Sequence, residues 1–357
     1  MKKFSLRYLL LGFFVLFTTQ FAYAEGGEGK EFDATEMIMH HVQDSHEWHF
    51  FTTTDENGKE HHVSMPLPII LYTYDRGIQI FSSANFHNEG KVYDGFVMDH
   101  EHIYYDNGSG QARTDGNGDK IAPIDLSITK NVVSMMIAMT ILLVIFLSVA
   151  GAYKKREGQA PKGLQSFIEP LVVFIKDDIA VPNIGEKKYA KYLPYLLTVF
   201  FFVWVNNLLG LIPTGANASG SISFTFTLAA ITGLIVNLSG NKTYWGHIFA
   251  PPVPPLLWII MIPVEILGII SKPFALMIRL FANITAGHII ILSLLSFIFI
   301  FKSVFVGIPV SIFVVIMNFL ELFVAFLQAY VFTLLSALYI GLATEEHHHE
   351  HEVEHHK

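Results

Sequence analysis

Cysteine is absent from all 357 residues, which excludes disulfides, thiolate nucleophiles and thiolate-held metals and leaves no clue to the redox compartment. Charge is scarce too: Asp, Glu, Lys and Arg make up 15% of the chain, which does not describe a soluble protein of this length. The net charge of −8 is not a basic surface, so no nucleic-acid role is suggested. A glycine-rich phosphate loop is missing, and with it any nucleotide chemistry in this chain. Inspection finds no internal symmetry of paired broken helices, the pattern expected of a self-contained secondary transporter. What is present is apolar. A mean hydropathy of +0.44 and 52% hydrophobic residues describe an all-α integral membrane protein that carries a smaller polar portion, with much of its acid in residues 25–129 and after Thr344.

The first 24 residues open with Lys2, Lys3 and Arg7, continue through a short apolar core from Tyr8 to Phe17, and end in Ala22-Tyr23-Ala24. This is the pattern of a secretory signal peptide, and cleavage after Ala24 would leave the mature N-terminus outside the cytoplasm. The alternative, an uncleaved spanning helix, suffers from the shortness of the core. Residues 25–129 are polar, aromatic and rich in histidine, broken into short runs (46–53, 68–74, 77–82, 102–105) that read as strands of a small β-rich extracytoplasmic domain. Asn57-Gly58 supplies a hairpin turn, because both residue types tolerate positive φ. The loop Asp115-x-Asn117-x-Asp119 imitates the start of a calcium loop, but Lys120 replaces the needed glycine and Leu126 the bidentate glutamate. Histidines at 40, 41, 46, 49, 61, 62, 100 and 102, with the His/Glu-rich tail 347–357, invite a metal-binding surface reading; their spacing matches no standard site. No resident metal or cofactor is expected.

Residues 132–152 are uncharged and long enough to span a bilayer, and Lys154-Lys155-Arg156 follow at once, so this helix should run from outside to inside. The mixed stretch 165–191, with Pro170 and Pro182, suits the cytoplasmic interface. Residues 193–213 return outward, carrying Asn206 and Asn207, and 222–238 come back through a tight polar turn. Trp245 and the prolines of 251–255 mark the next interface. Two long helices close the span region, from Leu256 to about Ile300 and from Val310 to Leu342. Both exceed the roughly 20 residues of a perpendicular span and should be strongly tilted. The fold expected is therefore about five transmembrane helices, the last two a long, tilted antiparallel hairpin turning within residues 302–309.

Within that hairpin stands Arg279, deep in the apolar stretch 259–301. A guanidinium stays charged, and its burial in hydrocarbon costs roughly 2.5–3.5 kcal/mol on insertion scales. About twenty residues flank it on each side, which is too deep for snorkelling to the interface. A turn near residue 304 sets position i opposite about 608 − i, so Arg279 meets the neighbourhood of Gln328 and His288 falls level with Glu321. Asn283, four residues on, shares the face of Arg279, and Glu321 and Gln328, seven apart, share another. His288 lies nine residues from Arg279, about 180° around the helix. Either the helix distorts near Gly287, or Arg279 faces an external partner while His288 faces a pocket; the second is the reading adopted. Imidazole beside carboxylate in an apolar setting can pass protons, the plainer alternative being a polar knot that locks two helices. Glu265, about 21 Å before Arg279 and nearly on its face, could serve a separate exit path or stand solvated and passive.

The run Pro273-Phe-Ala-Leu-Met-Ile-Arg279-Leu-Phe-Ala-Asn283-Ile-Thr-Ala-Gly287-His288, with Leu327-Gln328-Ala-Tyr-Val-Phe, Asn206-Asn207-Leu-Leu-Gly-Leu-Ile-Pro213 and Ala343-Thr-Glu-Glu-His347, closely resembles subunit a of the F-type ATP synthase membrane sector over about residues 130–346. The resemblance implies that Arg279 faces the carboxylate of a rotating c ring and prevents a short circuit between two proton half-channels. It implies that His288, Glu321, Asn283 and Gln328 line the outer half-channel and the arginine environment, and Glu265 the cytoplasmic one. Partners implied are the c-subunit ring, b-type peripheral stalk subunits and the remainder of the complex in a bacterial inner membrane. Two departures are reciprocal: the common bacterial pattern has Glu where His288 stands and His where Glu321 stands. Because the hairpin register sets these positions level, the exchange preserves one acid and one imidazole at one depth. Ala282 replaces a frequent glycine. The resemblance says nothing of residues 25–129.

Overall fold

The computed structural model describes Thr35, Ile38 and residues 42–345, apart from 55–59, 88–90, 100, 213–214 and 252; side chains of 51–62 are also outside the description. The expected signal segment 1–24, the expected Asn57-Gly58 turn, His40, His41, His100 and the tail 347–357 lie outside the described residues, as do the side chains of His61 and His62. The chain divides into two compact units: residues 1–138, 206–221 and 285–322 form one, and residues 139–205, 222–284 and 323–357 the other.

In the first unit, β1 (Glu47–Thr54) pairs antiparallel with β2 (Glu60–Pro66), with a register shift between His49 and Phe51. A second sheet sets β3 (Pro68–Thr73) between β4 (Gly77–Ser82) and β8 (Ile124–Asp125). A third joins β5 (Val92–Tyr93), β6 (Phe96–Asp99) and β7 (His102–Tyr105). The two-residue strands β5 and β8 and the four-residue β6 are additions to the four runs expected from the sequence; elements this short give no periodicity to read. Gly77 closes the β3–β4 turn at φ 73°, a conformation that suits glycine. Alternation along β3 sends Ile69 and Leu71 into a core with Phe86, Phe96 and Ile103. Each such burial is worth about 1.5–3 kcal/mol relative to exposure. The Asp115 carboxylate accepts the backbone N–H groups of Asn117 and Asp119 at 2.8 and 2.9 Å, so this loop is organised by its own side chain.

These strands are fastened to α1 (Lys130–Lys155), the first span, at its opening turn. The Asp44 carboxylate accepts from the Thr129 hydroxyl at 2.8 Å and from the Asn131 N–H at 3.2 Å, while the Lys130 N–H donates to the Ser45 carbonyl at 2.9 Å. A distant aspartate thus caps orphan donors at a helix N-terminus, where negative charge is favoured. Next to it, the buried His46 ring meets Asp125 at 2.8 Å.

The second unit begins along α1 and continues with α2 (Leu164–Phe174), a π-helical turn (Ile175–Ala180) and α3 (Val181–Ile184). The wide turn has a cause. Pro182 has no N–H and its ring crowds the carbonyl four residues back, and a π-bulge relieves both problems. Then come α4 (Tyr189–Gly210), α5 (Ile222–Leu238), α6 (Lys242–Phe249), α7 (Trp258–Phe301) and α8 (Val304–Thr344). Helices α4, α7 and α8 leave this unit for the other over parts of their length. Four helices, α1, α4, α7 and α8, are long and apolar enough to cross a membrane, and α5 with α6, bent by 100° between them, makes up to a fifth. The chain is an all-α membrane protein by these spans.

Close approach within the second unit depends on missing side chains. A Cβ on Gly233 of α5 would lie 2.6 Å from the Pro273 ring of α7, and one on Gly341 of α8 would strike the Asn183 carbonyl. The end of α8 is held by Lys188, whose ammonium donates to the Thr344 carbonyl at 2.7 Å, and by Asn241, whose amide donates to the same oxygen at 2.8 Å. Hydroxyl and amide side chains along the spans bond back to their own helix: Thr333 to the Ala329 carbonyl, Ser336 to Phe332, Asn318 to Val314. They satisfy themselves locally, as hydrocarbon demands.

The expected turn at 302–309 contracts to Lys302 and Ser303, with Lys302 at φ 45°. Helix α8 starts six residues before the expected Val310 because Pro309, near its beginning, removes one intrahelical bond only. Pro263 and Pro273 likewise lie inside a continuous α7.

The His46–Asp125 link has a pH signature. Burial pushes the Asp125 carboxyl up, but its hydrogen bonds with the His46 ring and the Ser127 hydroxyl and N–H outweigh that and hold it below the ordinary carboxylate range. A depressed acid stabilises the fold fully above the unfolded value and loses that contribution as pH falls through the folded one. Hydrogen exchange at the Leu126 and Ile128 amides, corrected for intrinsic rate, should therefore accelerate as pH drops from about 5 to about 3. An Asp125→Asn protein should be less protected at neutral pH and should lose this acid step; an unchanged step in that variant would contradict the assignment.

Candidate functional site

The apolar pattern that makes α7 a 44-residue helix leaves few places for polar side chains, so those it carries are informative. Arg279 is exposed and makes no hydrogen bond or ion pair with any described residue. It lines an open groove between α7 and α8, with Asn283 one turn on and Gln328 across from it, walled by Phe274, Ile278 and Leu327. Gln328 is 5% exposed, while Asn283 is open. The groove thus presents one fixed positive charge and two amides on an otherwise greasy face.

In the other unit, His288 and Glu321 meet, their Nδ1 and Oε1 3.9 Å apart, with side-chain exposures of 16% and 6%. That separation permits an ion pair and is too long for a direct hydrogen bond. Gly287 creates the room: a Cβ there would stand 3.0 Å from Oε1 of Glu321. Among the described residues, the second oxygen of Glu321 is buried without a hydrogen-bond partner, as is the Thr285 hydroxyl one turn before His288. Buried carboxylate oxygens are costly to leave unsatisfied, so this site holds unspent polar capacity. Arg279 is exposed and His288 mostly buried, and α7 runs without a break near Gly287.

Glu265, 32% exposed in its side chain, has a partner that sequence reasoning missed: Nδ1 of His247 on α6, 3.9 Å away. The bend between α5 and α6 returns His247 to α7; Ser239-Gly240-Asn241 marks a turn there, but the sequence does not give its angle. Lys272 was also passed over. It lies seven residues from both Glu265 and Arg279, two helical turns each way, with its ammonium 5.8 Å from the Tyr339 ring centroid. The sequence signal was there, a cation inside an apolar run.

Comparison with known proteins bears on both parts of the chain. Residues 132–341 match the family described as ATP synthase A chain. Residues 37–126 match a domain of unknown function, DUF8433. ATP synthase subunit a 2 of Chlorobaculum tepidum is 56% identical over 245 residues, covering 66% of this chain and 69% of that relative. The protein of the same name from Prosthecochloris aestuarii is 53% identical over 245 residues, 66% of this chain and 74% of its own. ATP synthase subunit a of Anaeromyxobacter is 44% identical over 236 residues, 64% of this chain and 57% of its own.

The cysteine-free background permits a direct test of the α7–α8 register. Cysteines placed at 288 and 321 should be bridged by a short thiol-specific crosslinker, whereas cysteines at 290 and 321, on a different side of α7, should not. Equal yields from both pairs would contradict the His288–Glu321 contact.

Proposed function

The chain belongs to the F-type ATP synthase subunit a family, and on that premise we propose that it is the stator subunit of the rotary proton channel, with Arg279 facing a carboxylate on the c ring. The observation that carries this is the unpaired guanidinium in the apolar groove. A permanent cation in a bilayer requires a compensating partner, and none exists among the described residues, so the partner belongs to another chain. Gln328 and Asn283 beside it are neutral groups that can orient a carboxylate or guanidinium without competing in charge.

In this reading α7 and α8 form a tilted antiparallel hairpin lying along the ring. Protons enter from the periplasmic side past Glu321 and His288, whose 3.9 Å contact supports a shared role and accounts for the reciprocal exchange of acid and imidazole relative to the common family pattern. A proton neutralises the ring carboxylate, rides the ring through almost a full turn, and leaves near Glu265. Arg279 stabilises the deprotonated carboxylate at the crossing, so a loaded site cannot slip directly between the half-channels. Each charge falling through 100 mV releases roughly 2.3 kcal/mol, so several protons are needed for each nucleotide made elsewhere in the complex.

The surrounding architecture follows from the same reading. Residues 1–24 direct the chain to the bacterial inner membrane and are removed, residues 25–129 form an extracytoplasmic domain, residues 130–346 carry the channel, and the tail 347–357 is cytoplasmic. The b-type peripheral stalk holds the subunit against the torque of the ring.

Arg279→Ala should abolish ATP-driven proton pumping in vesicles bearing the assembled complex. Arg279→Lys should restore little, because an ammonium lacks the planar fork and sheds its proton more readily in an apolar site. Pumping by Arg279→Ala at more than about a tenth of the parental rate would reject the role.

A further inference from the structure

We propose that His247 is a second proton-exchanging group of the cytoplasmic path, passing protons between the aqueous phase and Glu265. The inference rests on the reading of Glu265 as the exit group and adds to it a residue on a different helix. Its basis is geometric. After the 100° bend from α5, α6 sets an imidazole 3.9 Å from the Glu265 carboxylate, with side-chain exposures of 53% for His247 and 32% for Glu265. Exposure therefore falls along the pair, from His247 to Glu265.

The polar trail continues behind it. Tyr244, one turn before His247, donates its hydroxyl to the Asn237 side-chain oxygen at 3.2 Å. Tyr244, Asn237, Thr232 and Lys272 line a cavity with room for about one water. Lys272 is two helical turns beyond Glu265, and Arg279 two turns beyond Lys272, about 10.5 Å per step. His247, Glu265, this small polar cavity and Arg279 all belong to the second unit. The ionisable groups bearing on His247 are Glu265 and, farther along, Lys272 from α7, and Tyr244 on its own helix.

The chemistry suits the position. Imidazole is the side chain whose ordinary titration range includes neutral pH, so it gains and loses protons readily where a carboxylate alone is almost always charged. During ATP-driven pumping the imidazolium Nδ1–H gives its proton to Oε1 of Glu265, directly after a small side-chain rotation or through one water. The neutral ring keeps its Nε2–H, so it swings outward and regains a proton from solution at Nδ1. During synthesis both transfers reverse. Charge and protons balance without another reactant.

The test uses the whole complex in proteoliposomes, with ATP-driven proton uptake followed while the pH on the α6 side is varied. His247→Ala should slow uptake by about tenfold near pH 8, where protons are scarce, and by much less near pH 6. His247→Gln, which keeps hydrogen bonding but cannot titrate, should behave alike, and added imidazole should restore both. A His247→Ala complex with the parental rate and pH profile overturns the inference, as does a slowed variant that imidazole leaves unchanged. Glu265→Gln is the control that separates the two claims. If it pumps at the parental rate, the exit assignment of Glu265 has failed; if it is slow while His247→Ala is parental, only His247 is wrong.

Discussion

A guanidinium that cannot lose its charge, on a helix whose neighbours are hydrocarbon-like, sets the terms for the rest of the molecule. Many of the other polar groups described along the spans have a local answer. Thr333, Ser336 and Asn318 bond to carbonyls of their own helix, and Lys188 and Asn241 close the end of α8. Arg279 alone has the combination of fixed charge, an apolar groove and no described partner. Hydrocarbon does not tolerate that state in isolation, and the constraint turns a single side chain into an argument for a second protein with a carboxylate at the same depth.

The scaffold meets this constraint by close packing rather than by more charge. Glycines at 233 and 341 let α5 meet α7 and α8 meet the Asn183 carbonyl at distances that a methyl group would forbid. Gly287 makes space for Glu321 in the other unit. Rigid elements that hold a charged group to within a fraction of an ångström are what a gate between two water paths requires. The titratable pairs differ in setting: His288–Glu321 is mostly buried, and His247–Glu265 is partly exposed.

Much of this was legible in the sequence, and the reasons for success and failure are physical. Arg279 was conspicuous because insertion energies make it so, and the level of His288 with Glu321 came from a turn position and helix arithmetic. The β1–β2 pairing was announced by Asn57-Gly58 even though those two residues lie outside the described structure. The approach of His247 to Glu265 was invisible because it depends on the 100° angle between α5 and α6, which Ser239-Gly240-Asn241 permits but does not set. The start of α8 was misjudged because a proline near a helix N-terminus looks the same in sequence as one that breaks a helix. The π-turn before Pro182 follows the same logic in reverse: the proline was read, but its remedy was not.

The most direct measurement is the separation between the Arg279 guanidinium and the ring carboxylate in the assembled complex, resolved across its rotary states. The account predicts a state in which the two lie within about 4 Å, or are joined by one ordered water. A guanidinium turned away from the ring in every rotary state, or paired instead with a carboxylate of its own chain, would contradict it.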